Sequence, residues 1–352
     1  MAKAHAAVDS PVLMLTASDG SHATRSGYAM LADYMAGAEC LHARRAEPKG
    51  LLPRVLVKLL SRTTFTRWYR LGSASLEWRA WRRFRDFEGV VHVMWADRDL
   101  GFLDLVRNRR RHRLCGTFHS CPDTFPDNLQ FPRRLRTLDA IILMSSVQRG
   151  YFEAHGVPAE KIHVVLHGVD TKFFSPAPVP KVGDGTFEVL SVGNYRRNFL
   201  LLKKVCERME GRRSVRFKIV APRRWHETFA GLNNVQTMSD LSDEQLLGSY
   251  READCFLLTV DASTANNALL EALACGLPVV AEAVDGIPEY VSPECAKLVA
   301  RGSDSDLVQA LLSLMSDAGE RQRMAAAARQ RAEQLDWANV AERTREVYRR
   351  IV

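Results

Sequence analysis

The feature of this chain that most constrains its fold is the alternation of short apolar runs with helix-like segments. Such alternation indicates parallel sheets built from βαβ units. The runs fall into two sets, which predicts an α/β protein with two doubly wound domains. The first set is PVLMLTA (11–17), VVHVMWA (90–96), RLCGTFH (113–119), DAIILMS (139–145) and IHVVLHG (162–168). The second set is FEVLSVG (187–193), RFKIVAP (216–222), VQTM (235–238), CFLLTV (255–260) and PVVAEA (278–283).

The domain boundary is also visible in the sequence. A length of 352 residues suggests about two domains. Segment 175–186, SPAPVPKVGDGT, is rich in Pro and Gly and has no apolar period, as expected of a linker. We therefore expect an N-terminal domain at 1–174 and a second domain at 187–334. An apolar stripe at helical spacing predicts a final helix at 335–352 that packs across the domain junction; its members are Trp337, Val340, Ala341, Thr344, Val347, Tyr348 and Ile351.

Composition narrows the class of protein. Seven scattered cysteines without a C-x-x-C pair indicate reduced thiols in a cytoplasmic protein, rather than a disulfide framework or a zinc site. No run of about 20 apolar residues is present, so no transmembrane helix is predicted. The first 20 residues are interpreted as leading into a buried strand, not as a signal peptide. The formal net charge of +8 indicates affinity for anions.

Much of the positive charge lies in segment 51–85, which mixes Leu, Val, Phe and Trp with many arginines. One interpretation is a surface that lies on an anionic membrane, which would place the protein at the inner face of the cytoplasmic membrane. The alternative is a core helix pair with a solvated basic face. The aromatic residues form no recognisable nucleic-acid motif, so nucleic acid is not an expected partner.

The stretch TANNALLEALACGLPVV, residues 264–280, contains one carboxylate among apolar residues. It lies between two predicted strands, so its loop is expected at the carboxyl edge of a parallel sheet, where ligands bind. The backbone N–H groups at the helix start favour a phosphate. Glu271, about one turn in, would then accept hydrogen bonds from hydroxyls beside that phosphate, such as those of a ribose. The alternative is a capped helix whose carboxylate is tied to the local backbone.

This stretch resembles the nucleotide-binding signature of the retaining glycosyltransferases of family 4, which have the GT-B fold. The likeness continues in LHGVDTKFFSP (166–176), VLSVGNYRRNF (189–199), DGIPEYV (285–291) and the tail from Asp336. It covers about 139–352 well and the first 130 residues loosely. It implies two Rossmann-like domains facing a central cleft, with the C-terminal helix crossing back to the N-domain. It also implies transfer of a sugar from a nucleotide-diphosphate sugar to a glycan, lipid-linked or small-molecule acceptor, with retention of configuration.

The resemblance implies a donor site in the second domain. Arg196 or Arg197 would hold the diphosphate, and Glu271 would hold the ribose. The first glutamate of the family's paired-glutamate motif would fall at 263, where this chain has Ser263; Asp261 is the candidate substitute. Lys203 corresponds only weakly to a lysine that the family usually adds. The remaining candidates for the donor site are Gly193, Asn194, Thr264, Asn266, Asn267 and Ala268.

On the N-domain side, the loop at 116–125 resembles the family loop whose histidine approaches the donor sugar, so His119 is a catalytic candidate. Gly27 and Arg25, in the loop after the first strand, are candidates for the acceptor side. No Asp-x-Asp at a strand end stands out as a metal site, and the DSD at 304–306 is interpreted as a helix cap. We therefore expect no cofactor and no required metal. Two rival hypotheses are a nucleotide-sugar epimerase of GT-B fold and a non-catalytic nucleotide-sugar-binding protein, the latter suggested by Ser263.

Overall fold

The computed structural model describes residues 10–18, 25–44, 62–179, 185–212 and 214–352. The chain divides into two compact units. Unit 1 contains the first strand, Gly27–His167 and Trp337–Val352, whereas unit 2 contains Gly168–Asp336 together with Arg25 and Ser26. Parts of three predicted segments lie outside the described residues: the loop after the first strand (19–24), the start of the basic segment (51–61) and the middle of the linker (180–184).

A six-stranded parallel sheet organises unit 1, with the strand order β2-β1-β3-β4-β5-β6. Its central strands are almost wholly apolar because both faces of the sheet are covered. In the register, Leu13 of β1 lies between Glu39 of β2 and Val91 of β3. The strands are β1 Val12–Ser18, β2 Glu39–Arg44, β3 Gly89–Val93, β4 His112–Phe118, β5 Ala140–Leu143 and β6 Ile162–Val164.

Helices of unit 1 are mostly short. Apolar side chains of the longest early helix, including Leu76 and Ala80, join the strand side chains in the core of the unit. The α-helices are α1 Leu71–Arg83, α2 Ala96–Asp99, α3 Leu103–Val106, α4 Phe125–Asn128 and α5 Arg149–Ala154. The 3-10 helices are Tyr28–Tyr34, Pro122–Thr124, Pro132–Thr137, Ser146–Gln148 and Ala159–Lys161.

Unit 2 is built around a second six-stranded parallel sheet, with the order β12-β11-β10-β7-β8-β9. Leu190 of β7 lies between Phe256 of β10 and Lys218 of β8. The strands are β7 Phe187–Val192, β8 Val215–Val220, β9 Val235–Met238, β10 Cys255–Leu258, β11 Val279–Glu282 and β12 Ala296–Val299.

Longer helices cover this second sheet, and the last helix of the chain returns to unit 1. Arg345 anchors that last helix there, since its Nη2 donates to the Tyr34 carbonyl at 2.6 Å. The helices of unit 2 are α6 Phe199–Met209, a 3-10 helix at Arg223–Phe229, α7 Asp243–Glu252, α8 Asn267–Ala274, α9 Ile287–Tyr290, α10 Asp304–Ser316 and α11 Ala318–Gln334, and the returning helix is α12 Trp337–Arg349.

Two doubly wound α/β units confirm the predicted fold class. The sequence analysis missed β2 and β12, each at the edge of its sheet. It also carried several strands too far: β3 ends at Val93 and a helix begins at Ala96, and β6, predicted to reach residue 168, ends at Val164. In the described part of the chain, no helix has the length and apolar character needed to span a membrane.

The strand order of unit 2 determines where its loops converge. From β7 the chain moves outward through β8 to β9, then crosses back so that β10 lies on the other side of β7. The direction therefore reverses between β7 and β10. In open α/β sheets, ligands bind outside the carboxyl ends of the strands at such a reversal.

Candidate functional site

The loops after β7 and β10 meet at this reversal and are joined by their backbones. Asn198 N donates to the Thr259 carbonyl at 3.0 Å, and Asp261 N donates to the Arg196 carbonyl at 2.9 Å. An antiparallel bridge pairs Arg197 with Val260. The two segments that sequence analysis assigned to donor binding are therefore adjacent in unit 2.

Gly193 directly follows β7 in a conformation that suits glycine, with a φ of 126°. A Cβ on Gly193 would lie 2.4 Å from Nη2 of Arg197, which is closer than any real contact. The missing side chain thus makes room for the guanidinium of Arg197 against the end of the strand. Gly193 acts in this site through Arg197.

Arg197 is held firmly on one side. Its Nε and Nη2 donate to the Val192 carbonyl at 2.9 and 2.7 Å, and Nη2 also donates to Asn266 Oδ1 at 3.1 Å. Among the described residues, its Nη1 makes no hydrogen bond. Burial lowers the pKa of Arg197 to about 10, while Tyr250 and Glu271 raise it, so the side chain remains a cation at neutral pH. An anchored cation with an unused amino group is suited to an oxyanion.

The start of α8 lies beside that guanidinium. Asn266 is the N-cap, and its Oδ1 accepts from Leu269 N at 3.1 Å as well as from Arg197. Asn267 and Ala268 form the first turn, whose N–H groups have no acceptor within a helix of this type. A helix N-terminus next to a fixed arginine gives a local positive potential.

Glu271 is 4% exposed on α8. The Ser26 hydroxyl donates to its Oε1, and the Tyr250 hydroxyl donates to its Oε2 at 2.8 Å. Burial raises the pKa of Glu271, and the bonds from Ser26 and Tyr250 and the charge of Arg197 lower it. The carboxylate is therefore tied to side chains from other parts of unit 2 and not to the backbone of its own helix.

Three other predicted donor residues, Arg196, Asn194 and Lys203, contact neighbours of their own. Arg196 adopts a left-handed backbone with a φ of 52°, and its guanidinium lies 5.9 Å from the centre of the Tyr195 ring. Asn194 Oδ1 accepts from Arg224 Nη2 at 2.5 Å and from Trp225 Nε1 at 3.4 Å. Lys203 lies along α6 and pairs with Glu207 at 3.7 Å.

Ser263 is buried and is held by one side-chain acceptor and one backbone acceptor. Its N–H donates to Asp285 Oδ2 at 3.0 Å, and its hydroxyl donates to the Ala265 carbonyl at 3.3 Å. Thr264 beside it is also buried. Asp261, the candidate substitute for the missing glutamate, is exposed and accepts from Asn198 Nδ2 at 2.9 Å.

In unit 1, His119 follows β4 and lies against aromatic rings. Its ring stacks on Trp95 at 3.8 Å between centroids and meets the edge of Tyr28 at 4.7 Å. Nε2 lies 2.8 Å from the Met94 carbonyl. A carbonyl only accepts, so we infer that Nε2 carries the proton when the ring is neutral.

A buried carboxylate, Asp97, fixes the backbone at this histidine. Its Oδ2 accepts from the N–H groups of His119 (3.1 Å) and Ser120 (2.8 Å) and from the Ser120 hydroxyl. Its Oδ1 has no hydrogen-bond partner among the described residues. Asp97 thus holds the loop that presents the candidate histidine.

The two acceptor-side candidates lie in different units. Gly27 has a φ of 101° and precedes the first 3-10 helix of unit 1. Arg25 belongs to unit 2, where it lies 3.9 Å from Asp170 and over the Phe173 ring at 5.3 Å. These roles, like those of the donor residues, stay predictions.

Among the described residues, no group of three or more His, Cys, Asp or Glu side chains could hold a metal ion. The DSD segment begins α10, where Ser303 caps the helix and Arg208 pairs with Asp304. The expectation that no metal is required stays a prediction.

Comparison with known families decides the classification. Residues 37–173 match the family described as Glycosyltransferase Family 4, and residues 186–317 match Glycosyl transferases group 1. The chain belongs to the family 4 group of glycosyltransferases. This membership agrees with the resemblance found in the sequence.

Relatives of this family 4 chain agree with that classification. An MMP alpha-(1->4)-mannosyltransferase of Mycolicibacterium hassiacum is 30% identical over 206 residues, covering 56% of this chain and 50% of the relative. The chain spans about half the length of the curated relatives it matches.

Two solved structures support the GT-B fold. Because their sequence identity to this chain is low, they show the fold alone. A sucrose-phosphate synthase from Thermosynechococcus elongatus has a TM-score of 0.73 at 17% identity, over 97% of this chain and 98% of that chain. HepE of Anabaena, crystallised with UDP and glucose, has a TM-score of 0.66 at 15% identity, over 97% of this chain and 100% of that chain.

Sequence reasoning missed several side chains that shape these sites. Tyr250 and Ser26 contact Glu271, and Arg224 and Trp225 contact Asn194. None of the four carries a local signal, because each comes from another element. Asp97 is different: it follows a predicted strand closely, and a carboxylate at a strand end could have been singled out.

Proposed function

We propose that this family 4 chain transfers a hexosyl residue from a nucleotide-diphosphate sugar to a glycan or lipid-linked acceptor, with retention of anomeric configuration. The observation that most supports this proposal is the group that Arg197, the start of α8 and Glu271 form in unit 2. A diphosphate needs fixed positive charge, and a ribose needs a hydrogen-bond acceptor beside it. Unit 2 supplies both at the carboxyl edge of its sheet.

Arg197 supports the phosphate assignment. Three hydrogen bonds hold two of its three nitrogens, and Nη1 makes none in the described residues. Preorganised donors stabilise a departing diphosphate without the free-energy cost of reorganisation. Arg196, the preceding residue, would add a second positive charge. In this mechanism the leaving phosphate helps to deprotonate the acceptor hydroxyl as it attacks from the same face.

The spare acceptor capacity of Glu271 supports the ribose assignment. A carboxylate can accept about four hydrogen bonds. In the described part of the chain Glu271 accepts two, from Ser26 and Tyr250. The two ribose hydroxyls would complete the set. His119, with its ring orientation fixed by Trp95 and Met94, is the proposed catalytic side chain of unit 1.

We further propose a cytoplasmic enzyme that needs no metal and works on acceptors presented at the cell envelope. The similarity to a mannosyltransferase favours a hexose donor. The basic character of segment 51–85 favours an acceptor at an anionic membrane surface.

The test is turnover of a panel of labelled nucleotide sugars, with hydrolysis followed where no acceptor is known. Arg196→Ala combined with Arg197→Ala should lower turnover by about 10²-fold or more, since charge-assisted bonds contribute roughly 1.5–3 kcal/mol each. Arg197→Lys should retain part of the rate. The matched control is Arg343→Ala with Arg350→Ala, an exposed pair of unit 1.

Normal turnover in the Arg196 and Arg197 double variant would overturn the diphosphate assignment. Interconversion of sugars without transfer or hydrolysis would indicate an epimerase. Binding without any reaction would indicate a non-catalytic binding protein. The configuration of the product, read by NMR, decides retention.

A further inference from the structure

The outer side of α1 in unit 1 presents two tryptophans to solvent. Trp78 is 55% exposed and Trp81 is 49% exposed. They lie three residues apart, so they share one face of the helix. The guanidinium of Arg82 lies over the Trp78 ring at 4.9 Å. Large aromatic side chains exposed side by side mark an interaction surface.

Within α1 the exposed charges on this face are all positive, whereas the segment after the helix carries the exposed Asp86 beside Arg85. The one acidic residue of α1, Glu77, points to the opposite side and is 6% exposed. Arg79, Arg82 and the following Arg85 are exposed. The outer side of α1 therefore combines tryptophan with arginine and has no carboxylate of its own.

Contacts to the edge strand fix the helix beneath this face. Arg79 Nη1 donates to the His42 carbonyl at 2.7 Å, and Arg83 pairs with Glu39 of β2 at 3.0 Å. On its inner side, Leu76 and Ala80 lie in the core of unit 1. The exposed tryptophans are thus presented by a helix whose orientation the core and β2 both determine.

We propose that the α1 face, defined as Trp78, Trp81, Arg82 and Arg85, docks on an anionic membrane surface. Tryptophan rings favour the headgroup region of a bilayer, and arginines bind lipid phosphates. The charge complementarity selects an anionic surface over a neutral one. This inference rests on the proposed function, because docking would bring the enzyme to a lipid-linked or envelope acceptor at that surface.

The experiment measures co-sedimentation of the full chain with vesicles of phosphatidylcholine alone and of phosphatidylcholine with 30% phosphatidylglycerol, roughly the anionic fraction that attracts basic segments. The wild type should bind the anionic vesicles, and added salt should weaken the binding. Arg82→Gln with Arg85→Gln should weaken it by roughly thirtyfold at low salt. Trp78→Ser with Trp81→Ser should weaken it by on the order of tenfold and leave the salt dependence in place.

The matched control is Arg343→Gln with Arg350→Gln, which removes the same charge elsewhere on unit 1. It should bind nearly as well as the wild type. Loss of binding in the control as large as in the α1 variants would mean a general charge effect and would overturn the proposal. So would binding to neither vesicle, or binding that the α1 variants leave unchanged.

A 20-base-pair DNA duplex is titrated in parallel, roughly two helical turns of polyanion. Binding to the duplex through α1, without binding to vesicles, would replace the membrane by a nucleic acid. Stabilisation by UDP or GDP is measured for every variant. The α1 variants should retain it, so failure of the membrane proposal and failure of the donor site are separate results.

Discussion

Two buried glutamates, Glu77 on α1 of unit 1 and Glu271 on α8 of unit 2, differ in the groups that donate hydrogen bonds to their carboxylates. Glu77 accepts from the backbone N–H groups of Gly101, Phe102 and Leu103 at 2.7 to 3.2 Å and from the Tyr69 hydroxyl at 2.8 Å. Glu271 accepts from two hydroxyls, and Arg197 adds a favourable charge. Burial raises the pKa of both, that of Glu77 to about 7.

The difference separates a structural carboxylate from a candidate ligand-binding one. Glu77 has its lone pairs filled by groups that cannot leave, because backbone donors belong to the fold itself. In the described part of the chain, Glu271 accepts two hydrogen bonds, so its carboxylate can accept about two more. An unfilled buried acceptor lowers stability unless a ligand or water completes it.

The largest effect that this comparison predicts is on folding. Glu77→Ala leaves three backbone donors and a tyrosine hydroxyl without their acceptor, so the free energy of unfolding should fall by about 3–5 kcal/mol. Urea denaturation followed by far-UV circular dichroism measures it. Glu271→Ala should cost clearly less. Equal losses in the two variants would remove the distinction between them.

The next effect is on binding. Glu271→Gln keeps the shape of the side chain but loses its charge and half of its acceptor capacity. The affinity for the better of UDP and GDP should fall by about 1–3 kcal/mol. Isothermal titration measures it, with Glu77→Gln as the matched control on the other buried glutamate. Wild-type affinity in Glu271→Gln would mean that this carboxylate serves the fold.

The sequence predicted the interior of both sheets well, because a parallel strand buried on both faces must be apolar along its length. It missed one edge strand of each sheet, although it found the opposite edges, β6 and β9. β2, ECLHAR, contains Glu39 and His42, and β12, AKLV, is short and partly exposed. An edge strand has one neighbour and one open side, so its composition resembles that of a loop.

The sequence predicted which loops carry the candidate donor site, but not which side chains donate hydrogen bonds to Glu271. Its partner Ser26 is 245 residues away and its partner Tyr250 is 21 residues away. Local pattern carries no information on such pairs, since tertiary packing alone brings them together. The anchoring of Arg197 by Val192 and Asn266 escaped the sequence for the same reason.

A third, smaller effect is on the pH dependence of nucleotide binding. Burial raises the pKa of Glu271 above the usual range of a glutamate. Ribose hydroxyls donate to the carboxylate and not to the protonated acid, so affinity is highest above that pKa and falls as the pH is lowered through it. The fall attributable to Glu271 is at most about tenfold per pH unit. Titrations of wild type and Glu271→Gln at a series of pH values from neutral downward measure it. Parallel profiles for the two proteins would count against the assignment, because phosphate protonation affects both alike.

The smallest effect comes from removing one tyrosine hydroxyl beside each glutamate. Tyr69→Phe and Tyr250→Phe are matched changes, since both rings are buried and both hydroxyls donate at 2.8 Å. Each should lower stability by about 0.5–1.5 kcal/mol without ligand. With saturating nucleotide the two should diverge. Without the Tyr250 bond, Glu271 has Ser26 and the two ribose hydroxyls as its donors and gains relatively more from the ribose, so the shift in melting temperature on adding nucleotide should be larger in Tyr250→Phe than in wild type. No ligand replaces the donor that Glu77 has lost, so Tyr69→Phe should show the wild-type shift. Identical shifts in all three proteins would mean that nucleotide does not reach Glu271, whatever the effect of Glu271→Gln on affinity.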